Sequence, residues 1–303
     1  MIPTFPEFKK LELADKKDVE KFTAKFTPYA DFNFSNMWAW DLKGEMGFSI
    51  LNDNLVVKFT DYLNGKSFLS FLGNKMINET AKELIDFSEK NYKTGILKLV
   101  PETVVGLLDK SEFDFISDLD SRDYVYSVLR LASMDAWPQN TISKGVRRFI
   151  KQYPDYVIKQ QSFQDVHKDE YLKMFKKWSE NKNIINYSEL NEYQAFERLL
   201  EIKDKNIKVI SLYVKEVLVG FSVFEILADD YAMSHFAKAD TSYHLSAYDI
   251  LDLEEAKILQ KQGIKYYNWQ QDLGIQGLRK AKIKYKPDSF LNKFLVKKTG
   301  SKV

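Results

Sequence analysis

The chain reads as a mixed α/β protein, α+β in arrangement, made of two tandem domains that each carry a mixed, mostly antiparallel sheet flanked by helices. Two observations predict this. At 303 residues and 45% hydrophobic content the chain exceeds what one ordinary core holds. The same order of elements, helix, helix, three strands, helix, strand, helix, strand, also runs through it twice without evident sequence identity.

In the first half, Asp15 caps a segment to residue 26 in which Val19, Phe22 and Phe26 recur at helical spacing. Residues 28–41 follow as an aromatic-rich short helix or turn. This segment is apolar nearly all round, which favours burial over the stacking of bases on exposed rings. Strands are expected at 47–51, 55–60 and 67–72, joined by the turn formers Asn52-Asp53-Asn54 and Asn64-Gly65. Asn78 opens a helix to residue 90 with Ala81, Leu84, Ile85 and Phe87 as its apolar residues; a short buried strand at 96–100 and a helix at 102–109 close the half.

In the second half helices are expected at 166–180 and 189–203, then strands at 208–214, 217–227 and 231–238 with Lys215-Glu216 and Asp229-Asp230 as their hairpin loops. A helix at 246–262 ends at Gly263, where a left-handed residue is needed. A strand at 264–269, a helix at 275–285 and a strand at 290–297 complete the series. Residues 124–131 and the basic segment 143–151 form the connection. The boundary falls near Ala132, giving domains 1–131 and 132–303.

Composition narrows the function. There is no cysteine, which excludes disulfides and thiolate chemistry, and His167, His235 and His244 lack the i, i+4 spacing of a zinc site. No metal is expected. His235 lies in a strand between Met233 and Ala237 and reads as a satisfied buried histidine rather than a general base. Lysine plus arginine total 45 against 43 acids, so no global field draws the molecule to nucleic acid or membrane, and any basic site is local. The longest nearly apolar run, residues 217–228, is far shorter than the ~20 residues a bilayer requires. The first residues lack the form of a secretion signal, so the expected location is the cytoplasm, with peripheral membrane contact left open.

The most informative stretch is residues 266–287, YYNWQQDLGIQGLRKAKIKYKP, where an aromatic strand stops at Asp272 and Gly274 and a basic helix opens. Leu278, Ala281 and Tyr285 fall on one side of that helix, while Arg279, Lys282 and Lys286 form a cationic stripe. From Arg279 to the end there are nine bases against the single acid Asp288, an arrangement suited to phosphate, a nucleic-acid backbone or a lipid headgroup. The amides of Gly274, Ile275 and Gln276 face outward at the helix N-terminus, where an anion is favoured. Asp272 is placed either to cap the helix or to deprotonate an amine nucleophile, and Tyr285 either to pack in the core or to protonate a leaving group.

Asn268, Asp272, Leu273, Gly274, Gly277, Leu278, Arg279, Ala281, Lys282, Tyr285 and Pro287 carry a resemblance to a bacterial family of unknown function related to the C-terminal domain of phosphatidylglycerol lysyltransferase. The chain departs from that signature at Trp269 and Gln270, where the family shows Arg and an acid. The element order is similar to the acetyltransferase superfamily fold, and the family implies a tandem copy of it. With the resemblance, Asn268, Gly274, Ile275, Gln276, Arg279 and Lys282 become the expected anion- or donor-binding set, and Asp272 and Tyr285 the catalytic candidates. The implied function is transfer of an acyl or aminoacyl group to an amine or hydroxyl of a small molecule or peptide, with aminoacyl-tRNA as one donor. Two alternatives stand beside it: a non-catalytic anion or nucleic-acid binding module, and a coenzyme-A-dependent N-acetyltransferase with an atypical phosphate loop. Residues 241–247 contain no glycine to cradle a pyrophosphate, which weighs against the last.

Overall fold

The structure, a computed structural model, describes residues 2–61, 65–138, 141–184, 190–228 and 230–301. Asn64, Glu189, Asp229 and Lys302, which entered the turn, helix and tail readings, lie outside them. Two compact units form and neither is one continuous half: the first holds Met1–Asp123, Gln271–Lys280 and Phe290–Val303, the second Tyr124–Gln270 and Ala281–Ser289. The expected boundary near Ala132 lies inside the second unit.

In the first unit β1 (Lys9–Lys10) is followed by α1 (Lys16–Thr23), α2 (Phe34–Trp40), β2 (Gly47–Leu51), β3 (Asn54–Thr60) and β4 (Ser67–Leu72). The four strands make an antiparallel sheet in order β1-β2-β3-β4. Asn52 and Asp53 both hold positive φ, 50° and 59°, the conformation that matches a two-residue turn to the twist of β2 and β3. Alternation along β3 divides the core. Leu55, Val57 and Phe59 pack with Phe34, Met37 and Phe48 on one face, and Val56 packs with Ala81, Leu84 and Ile85 of α3 (Ile77–Tyr92) on the other. The aromatic segment around α2 is therefore core. Next come β5 (Leu97–Pro101), α4 (Glu102–Val105) and β6 (Phe113–Ser117). β6 is a strand the periodicity does not announce, and between β5 and β6 lies β14 (Lys293–Lys298), from the far end of the chain, antiparallel to both.

The second unit begins as β7 (Asp123–Ser127) runs into α5 (Val128–Leu131), then α6 (Thr141–Gln152), β8 (Val157–Ser162), α7 (Lys168–Asn181) and α8 (Asn191–Leu199). β9 (Ile207–Val214), β10 (Val217–Ala228) and β11 (Tyr231–Ala239) are antiparallel neighbours, and the β9–β10 turn again uses two positive-φ residues, Lys215 and Glu216. α9 (Ala247–Lys261) then leads to β12 (Tyr266–Asn268), α10 (Gln276–Ile283) and β13 (Ser289–Leu291), the strand through which the chain leaves this unit. The sheet order is β13-β7-β12-β11-β10-β9-β8.

β12 pairs in parallel with β11 over three positions only, Tyr231 to Tyr266 through Met233 to Asn268, and beyond them the strands part. Antiparallel strands, a crossing helix and a parallel strand that diverges make the acetyltransferase-like architecture, carried here in tandem.

α10 differs from the amphipathic reading. Its buried residue is Lys282, whereas Leu278 and Ala281 are exposed. The cause is local: the Lys282 ammonium bonds the carbonyls of Trp269 and Gln270 (the latter at 3.1 Å) at the positive-φ corner that ends β12.

Candidate functional site

Three residues of the corner before α10 hold positive φ: Gln270, Leu273 and Gly274. Asn268 is buried, and its Oδ1 accepts the Gln270 amide at 2.7 Å. The Gln270 side chain donates to the Ser234 carbonyl, within the second unit. Asp272 is fully buried and accepts the Gly274 amide at 2.8 Å. Arg279 meets it at two points, Nε to Oδ2 and Nη2 to Oδ1, both 2.8 Å, and also donates to Asp120 at 2.6 Å. Hydrogen bonds to Asp272 first and Asp120 second raise the Arg279 pKa above its usual range. A Cβ on Gly274 would stand 2.8 Å from Asp120 Oδ2, so the chain's own carboxylate lies against the α10 N-terminus. Ile275 and Gln276 are exposed beside it.

The basic tail is largely consumed by the fold. Lys293 is buried between Asp123 at 2.7 Å and Asp31, with Gln271 Oε1 at 2.9 Å. Lys284 pairs with Asp249 at 2.8 Å, Lys297 with Asp114 at 3.8 Å and Lys298 with Asp86 at 2.5 Å. Tyr285 is buried and donates to Asp249 at 2.5 Å, and burial holds its phenol well above the usual range. His235 sits against Glu225 at 3.2 Å, both buried. The structure thus brings Asp272 and Arg279 together, and places Lys282 and Tyr285 on other partners.

A cavity of about 570 Å³ lies elsewhere in the second unit, between α6 and the loop that enters α9. Its walls include Lys144 and Arg148, one turn apart on the exposed side of α6, and Tyr243, His244 and Ser246 of the loop. Neither base has an ion-pair partner among the described residues. Ser246 is the N-cap of α9 and makes no side-chain capping bond, while the first helical amide, Ala247, donates to the His244 carbonyl at 3.1 Å. Its own amide donates to His244 Nδ1 at 3.0 Å, which places the imidazole proton of neutral His244 on Nε2. Gly145 lets α6 come close to this loop: a Cβ there would lie 2.1 Å from Ser246 Oγ and 3.1 Å from Ser246 Cβ, so a larger residue would force the serine to shift. Lys144 and Arg148, without ion-pair partners among the described residues and close to a helix N-terminus, give the cavity a positive lining suited to a phosphate group. Sequence reading treats residues 143–151 as a connection; the missed signal is the i, i+4 pair Lys144 and Arg148 opposite Ile142, Val146 and Phe149, which are buried.

A two-unit acetyltransferase-like fold with an anion-suited cavity at the helix after the third strand defines the class. Residues 23–297 match the family described as phosphatidylglycerol lysyltransferase, C-terminal, and the chain belongs to that family. Among solved structures it is similar to a conserved protein of unknown function from Bacteroides thetaiotaomicron, with 27% identity, 98% of this chain and 99% of that one covered and a TM-score of 0.78. It shares its fold with the C-terminal domain of a putative lysylphosphatidylglycerol synthetase from Agrobacterium fabrum (11% identity, 95% and 93% covered, TM-score 0.62). The L-PGS of Bacillus licheniformis has the same fold (13% identity, 97% and 94% covered, TM-score 0.62). No curated protein matches. Among the described residues no helix is long and apolar enough to cross a membrane.

Proposed function

We propose that the protein transfers an acyl or aminoacyl group to an amine or hydroxyl, and that it holds its donor, an aminoacyl-tRNA, by phosphates in the cavity between α6 and α9. The observation that carries this reading is the pair Lys144 and Arg148, which have no ion-pair partner among the described residues and line the cavity beside Ser246, the N-cap of α9. Family membership supports the reaction class. Asp272 and Arg279 spend their charges on each other, so donor binding is assigned to Lys144 and Arg148 in place of Arg279 and Lys282. The loop at 241–246 has no glycine for a pyrophosphate wrap, which favours single phosphates of a nucleic-acid backbone over coenzyme A.

The test is anisotropy of a labelled tRNA acceptor-stem hairpin across a salt series. The wild type binds with a salt slope that falls by roughly two in Lys144→Ala/Arg148→Ala, since each lost phosphate contact removes about 0.9 from the slope. Unchanged binding in the double variant overturns the site. A rise in melting temperature with coenzyme A and no hairpin binding transfers the reading to the coenzyme-A-dependent acetyltransferase.

A further inference from the structure

We propose that the cavity beside α6 holds its phosphate in a seat completed by two uncharged donors, the His244 Nε2–H and the Ser246 hydroxyl, acting with Lys144 and Arg148; that the phosphate belongs to a nucleic acid rests on the donor-site reading above. All four residues line the same cavity. A half-enclosed donor whose hydrogen meets no protein acceptor marks where a ligand oxygen fits, because leaving that bond unmade costs free energy.

Ser246 is 7% exposed, and its hydroxyl has no hydrogen-bond partner among the described residues. A serine at a helix N-cap ordinarily offers its oxygen to an amide of the first turn, and here it does not. Its Oγ lies instead against α6, 2.1 Å from where a Cβ on Gly145 would stand, on the helix that carries Lys144 and Arg148.

His244 is fixed by three contacts. Its Nδ1 accepts the Ser246 amide at 3.0 Å, its carbonyl accepts the Ala247 amide at 3.1 Å, and its ring stands edge to face against buried Phe149 of α6 with centroids 5.5 Å apart. With Nδ1 engaged as an acceptor, the neutral ring carries its hydrogen on Nε2, which has no partner among the described residues. Tyr153 Oη donates to the Tyr243 carbonyl at 3.1 Å and ties the loop before His244 to the chain just beyond α6. Two fixed neutral donors beside two cations match a tetrahedral oxyanion, which presents several acceptor oxygens at once.

The charged and uncharged members leave different signatures. Lys144 and Arg148 release counterions on meeting phosphate and set the salt slope, whereas an imidazole N–H and a hydroxyl release none and change affinity equally at every salt concentration.

Anisotropy of the labelled hairpin across the same salt series separates them. His244→Asn keeps an acceptor near the Nδ1 position for the Ser246 amide and removes the Nε2 donor; Ser246→Ala removes a hydroxyl that makes no capping bond, so its melting temperature stays near that of wild type. Each variant is expected to bind the hairpin roughly tenfold more weakly with an unchanged salt slope, the worth of one hydrogen bond to a charged oxygen. Wild-type affinity in both variants overturns the seat and leaves the donor-site reading standing. A slope that falls as in Lys144→Ala/Arg148→Ala shows that the loop only positions the cations, and overturns the seat as well. Nitrogen NMR shifts of the His244 ring in mildly alkaline buffer are expected to show the Nε2–H tautomer, and the Nδ1–H tautomer overturns the part given to His244. Inorganic phosphate, compared with sodium chloride at equal ionic strength, supplies a second probe. A rise in melting temperature with phosphate that shrinks in both variants, without hairpin binding, keeps the seat and overturns the nucleic-acid reading. No response of wild type to either probe overturns both.

Discussion

Asp272 and Arg279 close on each other through two parallel hydrogen bonds of 2.8 Å, with the carboxylate fully buried and the guanidinium at the surface. This geometry needs a planar fork, which lysine lacks. Arg279→Ala is expected to lower the urea midpoint markedly, because it removes the two-point guanidinium contact from a fully buried carboxylate. Arg279→Lys is expected to recover part of the loss. An Arg279→Lys midpoint equal to that of wild type would show that the fork is unimportant.

Lys293 is fully buried between Asp31 and Asp123 and links β14 to the rest of the first unit. Lys293→Met strands two buried carboxylates and is expected to cost about 3–5 kcal/mol. Adding Asp31→Asn and Asp123→Asn should return much of that, as measured by equilibrium unfolding. A single-variant loss below about 1 kcal/mol would contradict the buried placement.

Glu255 makes stability depend on pH with a definite sign. Its folded value of about 8 lies above the ordinary 4.5, so between those values the folded state binds more protons than the unfolded state. Stability from this group is fully present below about 4.5 and is lost as pH rises toward 8. Relative to wild type, Glu255→Gln should gain on the order of 2–4 kcal/mol between pH 5 and pH 8, read by urea unfolding at both. A gap that does not change with pH would mean that Glu255 is ionised throughout.

Two glycines predict opposite outcomes. A Cβ on Gly220 would meet Leu251 Cδ1 and the Lys238 carbonyl, each at 2.9 Å, so Gly220→Ala should destabilise by about 1–3 kcal/mol. Gly277 sits within the exposed helix α10 with open space around it, so Gly277→Ala should stabilise by about 0.5–1 kcal/mol. Thermal melts of the pair check both signs.

Much of the architecture is legible in the sequence because its signals are local. The Asn52-Asp53 and Lys215-Glu216 turns announce their hairpins, and the alternation of β3 and the periodicity of α3 and α9 follow from neighbours a few residues apart. The element order and the glycine-marked corner at Gly274 come from the same short range. The cavity is less legible. Lys144 and Arg148 read as linker charge until α6 is set against the entry to α9, an approach that depends on Gly145 meeting Ser246 across about a hundred residues of sequence.

The amino-acid order alone determines most of the helices and strands, though not β6 or α6, together with the basic character of the last 25 residues and the family signature from Asn268 to Pro287. Only the tertiary structure decides what each charge does. Arg279, Lys282 and Lys293 look alike in sequence, yet the fold turns them to Asp272, to the Trp269 and Gln270 carbonyls and to the Asp31–Asp123 pair. A buried carboxylate or a carbonyl at a sharp corner takes the nearest cation, and nearness is set by packing between distant segments.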